Sequence, residues 1–331
     1  MKIVYLILAH RYPEQLVRLV QRLQAPDVRF FIHLDKKMED RMGVTVKHGL
    51  KNFDVTYVKR HTCHWAGFGI MKATFQGLKE ITESGIEYDY VALMSGQDYP
   101  IKSNAYIKRF FEHHKGTSFI EYIPFPKPDW IRQNGGWDRV KYWHFRGKNF
   151  NFVFPFHQRY KQTGLLKKLL KLTSWMKLRR SFPEGMHPFG GAQFWALHKS
   201  HADLIVNFIA NNKSYFNFFR NVYVSDELLF QTIIGNLADT TKIHNDTLHF
   251  LEWRRKGAIL YTSDFENIRK TDYLYARKFD ATVDPNILDL IDQEILSGQS
   301  CNEGSAIEDN LSGIRFPTYA TIPAISLQST S

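Results

Sequence analysis

A carboxylate able to take a proton stands at Glu227, inside Val222-Tyr223-Val224-Ser225-Asp226-Glu227-Leu228-Leu229. Ser225 or Asp226 can cap a helix whose first turn holds Glu227. A carboxylate there commonly just offsets the helix dipole, but one that faces a cleft is a general base. Cations gather late in the chain, as Arg254-Arg255-Lys256 behind Trp253 and as Arg277-Lys278 after Tyr275-Ala276. Singly these are solvated charges; together they could clamp a diphosphate. The sharpest polar punctuation is Ser95-Gly96-Gln97-Asp98, which closes the apolar run Val91-Ala92-Leu93-Met94.

That run reads as a buried strand opening into a tight polar turn, and in open α/β sheets ligands bind beyond such carboxyl ends. Other strand ends join it. Residues 3–9 form an apolar strand ending at His10, and Pro13-Glu14-Gln15 opens a helix with Leu16, Leu19, Val20 and Leu23 on one face. Val28 to Leu34 is a second strand, stopped by Asp35-Lys36-Lys37. A parallel β-α-β unit follows, with His10 and Asp35 side by side at one sheet edge. A third strand over 55–58 leads into His61-Thr62-Cys63-His64-Trp65-Ala66-Gly67 and a helix through about Ile81. The His and Cys residues lack a fourth metal ligand; Trp65 before small residues reads as an aromatic wall or as the start of that helix.

Ile101 to His114 is predicted helical, and residues 119–156 read as a loop-rich acceptor region or as an extra strand pair. Lys161 to Arg180 is basic and amphipathic, with Leu165, Leu169, Leu172 and Met176 on one face. It suits a membrane interface or an ordinary surface helix. In Phe189-Gly190-Gly191-Ala192-Gln193-Phe194-Trp195, small residues feed a strand, so Gly191 would let backbone approach a ligand on the acceptor side.

The chain has 331 residues, 15% of them aromatic, and a formal net charge of +11, which describes an ordered globule attracted to anions. Cys63 and Cys301 are its only cysteines, so no disulfide framework is present and a reducing, cytoplasmic setting is expected. Residues 3–9 are too short to span a bilayer. A single domain over 1–298 is expected, with a basic amphipathic insertion at about 157–182 and a flexible tail over 299–331. The basic charge also admits a nucleic-acid- or glycan-binding protein without catalysis, but the cations are dispersed among strand ends, and nucleic acid is not the expected partner.

The order of "IHLDKK" around Asp35, "HWAGFG" around Trp65, "LMSGQDYPIKSN" from Leu93, "FGGAQFWAL" from Phe189, "VSDELLFQT" around Glu227 and "YARKFD" from Tyr275 resembles the core-2/I-branching β-1,6-N-acetylglucosaminyltransferase family, which includes the peptide-O-xylosyltransferases. The resemblance runs from about residue 3 to about residue 290. It implies a GT-A type fold, a Rossmann-like α/β, mostly parallel sheet flanked by helices. It also implies inverting transfer of a sugar, N-acetylglucosamine first, from a UDP-sugar to a glycan or lipid-linked acceptor, without a divalent metal or other cofactor. By position it puts His10, Asp35, Trp65 and Ser95 with the nucleotide-sugar, Glu227 on the base, and Arg277 and Lys278 on the diphosphate. A further cation maps to Arg254, Arg255 or Lys256, which spacing does not separate, and Arg255 and Lys256 are counted with the nucleotide-sugar; Trp253, Gly191 and Asp98 face the acceptor. The chemistry agrees with the residues, since no Asp-X-Asp closes a strand and cations must then neutralise the leaving diphosphate.

Overall fold

The computed structural model describes residues 1–155, 178–252 and 258–297. Its first unit follows the hydrophobic pattern closely. Strand β1 (Ile3–Ala9) leads through helix α1 (Pro13–Leu23) to β2 (Val28–Leu34), and β1 and β2 pair in parallel with Ala9 opposite Leu34. Proline at the start of α1 suits a position whose N–H needs no helical partner. Helix α2 (Asp40–Gly49), which the sequence pattern did not announce because only Val46 is buried, precedes β3 (Val55–Tyr57). Helix α3 (Phe68–Glu83) then leads to β4 (Tyr90–Ser95), which lies parallel to β1 on its other side.

Beyond β4 the chain makes a short strand β5 (Asp98–Pro100), helix α4 (Asn104–His113), and strands β6 (Ser118–Ile120) and β7 (Ile123–Pro124). Ser103 caps α4 by accepting from the Tyr106 N–H. Part of the expected loop region is ordered: helix α5 (Trp137–Lys141) and an antiparallel hairpin of β8 (Trp143–Arg146) and β9 (Asn151–Phe154). Of the two readings of residues 119–156, the strand pair accounts for this hairpin. Strand β10 (Phe189–Gly190) pairs with β7, and β11 (Trp195–His198) runs into α6 (Lys199–Asn211) and α7 (Lys213–Phe218). Helix α8 (Leu229–Leu237), β12 (Ile243–His244), β13 (His249–Leu251), α9 (Phe265–Lys270), β14 (Tyr275–Arg277) and α10 (Asn286–Ile291) follow.

The main sheet has seven strands in the order β12-β6-β11-β4-β1-β2-β3, and only β11 runs against the others. This is the expected Rossmann-like architecture. Alternate residues of β1 enter two cores: Ile3, Tyr5 and Ile7 join the side of α1, α4 and α10, while Val4 and Leu6 join the side of α3, α6 and α8. Burial on both faces explains why the strands are continuous apolar runs rather than alternating ones. A second sheet, β13-β14-β5, stands beyond the carboxyl end of β4. Among the described residues no helix is long and apolar enough to cross a membrane. Residues 156–177, which carry most of the basic amphipathic stretch, and the expected tail over 299–331 lie outside the described residues.

Candidate active site at the carboxyl edge of the sheet

His10 and Asp35 leave adjacent parallel strands at the same edge, and the Asp35 N–H donates to the Ala9 carbonyl at 2.8 Å. Asp35 is buried, and its carboxylate accepts from the Lys37 N–H at 2.8 Å. Arg60 braces this loop by donating to the carbonyls of Leu34, Asp35 and Met38 at 3.0 to 3.1 Å. The His10 imidazole is held below its ordinary value by partial burial and then by Arg11, with Lys37 and Lys278 acting the same way and Asp35 opposing. His10, Asp35 and Lys278 therefore share one neighbourhood.

Asp98 does not face a cleft as expected for an acceptor contact. It is fully buried, because β5 pairs with β14 so that Asp98 lies opposite Arg277. Its carboxylate accepts from Arg277 Nε at 3.1 Å, from the Ser95 hydroxyl at 2.7 Å and from the Ser95 N–H at 2.7 Å, with His249 Nε2 at 3.6 Å. Burial alone would raise this carboxyl, but Arg277, His249 and Ser95 outweigh it and hold it at about 2. Asp98 thus anchors Arg277, whose guanidinium also lies 3.7 Å from the Phe194 ring centre. Lys278 follows, its ammonium lowered by burial and by Arg277.

Gly191 has a structural reason of its own. A β-carbon there would come within 1.8 Å of the Glu121 carbonyl oxygen, so one close approach it permits is to backbone of this chain. Its N–H donates to the Glu227 carbonyl at 3.0 Å, which ties the glycine loop to the candidate base.

Glu227 sits in a 3-10 turn, Ser225–Glu227, before α8, not in the first turn of that helix. Neither Ser225 nor Asp226 caps it; Val224 takes a left-handed φ of 52°, and the Ser225 hydroxyl and one Asp226 oxygen are buried without a partner. Glu227 keeps 30% side-chain exposure and accepts from Arg139 Nη1 at 2.7 Å. Burial raises its carboxyl above the ordinary range and Arg139 pulls in the opposite direction. The glycine loop links base and cation, since Gly191 bonds the Glu227 carbonyl and Phe194 lies against the Arg277 guanidinium, whose basicity the charge of Glu227 slightly raises. Burial and then the charge of Glu227 push the neighbouring Asp226 up to about 7.

Sequence reasoning missed the residues that hold this base. Arg139 is buried between Trp130, 3.4 Å from its guanidinium carbon, and Tyr223, at 5.7 Å. Lys127, also buried, pairs with Glu121 at 3.0 Å and lies 5.4 Å from the same Trp130 ring. The interleaving of Lys127, Trp130, Trp137 and Arg139 was the available signal. Trp65 is 72% exposed and packs edge-on to Tyr223. Trp253, Arg254, Arg255 and Lys256 lie outside the described residues. Among the described residues no group of three or more His, Cys, Asp or Glu could hold a metal ion.

A family model described as core-2/I-branching enzyme matches residues 3–273. Xylosyltransferase 2 of Homo sapiens is 21% identical over 318 residues, covering 88% of this chain and 33% of the relative. Xylosyltransferase oxt of Drosophila melanogaster is 21% identical over 256 residues, covering 76% of this chain and 26% of its own length. The chain thus spans about a third or less of the length of these curated relatives. Among solved structures, a 4-diphosphocytidyl-2C-methyl-D-erythritol synthase from Anaerococcus prevotii aligns at a TM-score of 0.29 and 12% identity, over 66% of this chain and 82% of its own.

Proposed function

The chain belongs to the core-2/I-branching enzyme family, and from that premise we propose that it is an inverting, metal-independent glycosyltransferase acting on a UDP-sugar. The observation that supports this reading is that one loop touches both base and cation: the Gly191 N–H donates to the Glu227 carbonyl at 3.0 Å and the Phe194 ring centre lies 3.7 Å from the Arg277 guanidinium. In the proposal, the nucleoside lies over the Asp35 and His10 strand ends, and the diphosphate meets Arg277 and Lys278. Glu227 then takes the proton of an acceptor hydroxyl as the hydroxyl oxygen attacks the anomeric carbon from the side opposite the diphosphate. The bond to the diphosphate breaks, UDP leaves with its charge neutralised by the cations, and the anomeric configuration inverts.

N-acetylglucosamine is the proposed donor sugar, and the names of the relatives make xylose its direct competitor. The acceptor is a glycan hydroxyl, free or lipid-linked, and a peripheral membrane contact through residues 161–180 belongs to the same reading. Release of UDP from UDP-N-acetylglucosamine and UDP-xylose tests the donor. Glu227→Gln should lower kcat by roughly 10²-fold or more while UDP affinity stays within about twofold. Near-normal turnover in that variant would remove Glu227 from the reaction, and absence of UDP binding by the wild-type protein would remove the reading altogether.

A further inference from the structure

Trp65 is an unusual exposed residue. Its indole is 72% exposed, yet it is held in place from several sides. Tyr223 meets it edge-on, with ring centres 6.3 Å apart and planes at 85°. The Arg146 guanidinium, brought in by the β8–β9 hairpin, lies 5.2 Å from the indole centre and 4.7 Å from the Tyr223 ring. The backbone behind the indole is fixed as well. Ala66 adopts a left-handed φ of 58°, the Gly67 N–H donates to the His64 carbonyl at 2.9 Å, and the Val224 N–H donates to the Ala66 carbonyl at 3.3 Å.

Two consequences follow from this arrangement. A large apolar ring kept rigid and in water costs hydration free energy that burial against a ligand would recover. Its location is also specific, because the last of those hydrogen bonds fastens the Trp65 loop directly to Val224, the residue preceding the Ser225–Glu227 turn. Trp65 therefore stands beside the candidate base. Its ring partners, Tyr223 and Arg146, come from the segment that surrounds Arg139 and Glu227, since the Tyr223 N–H donates to the Arg139 carbonyl at 3.2 Å. The other end of the loop reaches the strand ends where the sequence had placed Trp65 with the nucleotide-sugar, since the Cys63 N–H donates to the Asp35 carboxylate at 3.5 Å, so the indole stands between that edge and the candidate base.

We propose that Trp65 is the floor of a second acceptor subsite, stacking under a pyranose ring adjacent to the unit whose hydroxyl Glu227 deprotonates. This rests on the reading of Glu227 as base. The apolar C–H face of a pyranose matches an indole face, and a rigid aromatic platform loses little conformational freedom on binding. The substrate class that follows is an oligosaccharide or polysaccharide of at least two units, preferred over a monosaccharide acceptor.

Tryptophan fluorescence and calorimetric titration of the full chain, in the presence of UDP, with xylo-, cello- and chito-oligosaccharides of one to four units test the subsite. Affinity should rise from one unit to two in at least one series. Trp65→Ala should cut the affinity for the longer sugars about tenfold, Trp65→Phe should retain most of it, and the UDP dissociation constant should change less than twofold in both. Affinity independent of chain length, the same oligosaccharide affinity in Trp65→Ala, or a UDP affinity that falls in parallel overturns the subsite. Each of these outcomes can arise while UDP-sugar turnover and its dependence on Glu227 are intact, so this inference can fail without the reading beneath it.

Discussion

The Arg139 guanidinium lies 3.4 Å from the Trp130 ring centre and donates to Glu227 Oε2 at 2.7 Å. The candidate base is thus clamped by a cation that is itself immobilised on an aromatic face. An arginine so placed fixes the carboxylate direction and opposes the effect of burial on its basicity.

Replacing Arg139 by Met removes the influence that lowers the Glu227 carboxyl and leaves the burial that raises it. Because the base must be ionised, the acid limb of the kcat profile should move to higher pH, and kcat below that limb should fall. Initial-rate pH profiles of both proteins measure it. Superimposable acid limbs would show that Arg139 does not act on the base.

Turnover should persist in excess EDTA and should not rise with added Mn²⁺. The motive is the Arg277-Lys278 pair and the lack of an Asp-X-Asp at any strand end in the sequence. Activity abolished by the chelator and restored by Mn²⁺ would assign the diphosphate to a metal.

Asp98→Asn leaves Arg277 buried without its carboxylate, and losing one member of a buried pair costs about 3–5 kcal/mol. A lower denaturation midpoint is expected, together with weaker UDP binding as Arg277 loosens. Asp98 is held at about 2, below its unfolded value, so its contribution is present above about pH 4 and lost as pH falls toward 2. Denaturation curves across pH 2 to 5 should therefore be flatter in the variant; an equal acid dependence would contradict the pairing.

For Asp226 the sign reverses. Its folded value of about 7 lies above the unfolded one, so the folded protein binds more protons between about pH 4 and 7 and loses stability as pH rises through that window. Asp226→Asn cannot ionise and should gain stability relative to wild type between pH 5 and pH 8. Chemical denaturation at those two values decides it, and identical pH slopes would mean that Asp226 ionises normally.

Local pattern carried the architecture where each element is apolar on its own account. The β1-α1-β2 unit, the strand ending at Ser95 and the strand after Gly191 could be read because their side chains enter a core directly. Helix α2 could not, since it buries only Val46. The Ser-Asp-Glu run mimics a helix cap, yet the left-handed Val224 turns it into a 3-10 turn. Asp98 was misplaced, and the structural role of Gly191 missed, for a different reason. Both look like ligand-side turn residues locally, but their partners, Arg277 and Glu121, come from strands and loops far away in sequence. Arg139, within Trp137-Asp138-Arg139-Val140-Lys141, reads as one more solvated charge until the fold sets it on Trp130.

The pairing of β5 with β14 joins residues 179 positions apart, Asp98 and Arg277. During synthesis the early strand therefore waits for its partner on the order of ten seconds or more, at ordinary elongation rates. Through that interval Asp98 has no guanidinium to meet and the cleft has neither cation of the late pair. A chain cut after residue 273, where the family match ends, would retain all seven strands of the main sheet, the last of which closes at His244. It would lack Arg277 and Lys278 together with Phe279, Ile287, Leu288 and Ile291, which cover the Ile3, Tyr5 and Ile7 face of that sheet, so the same late segment brings the two cations proposed for the diphosphate and closes one of the two cores.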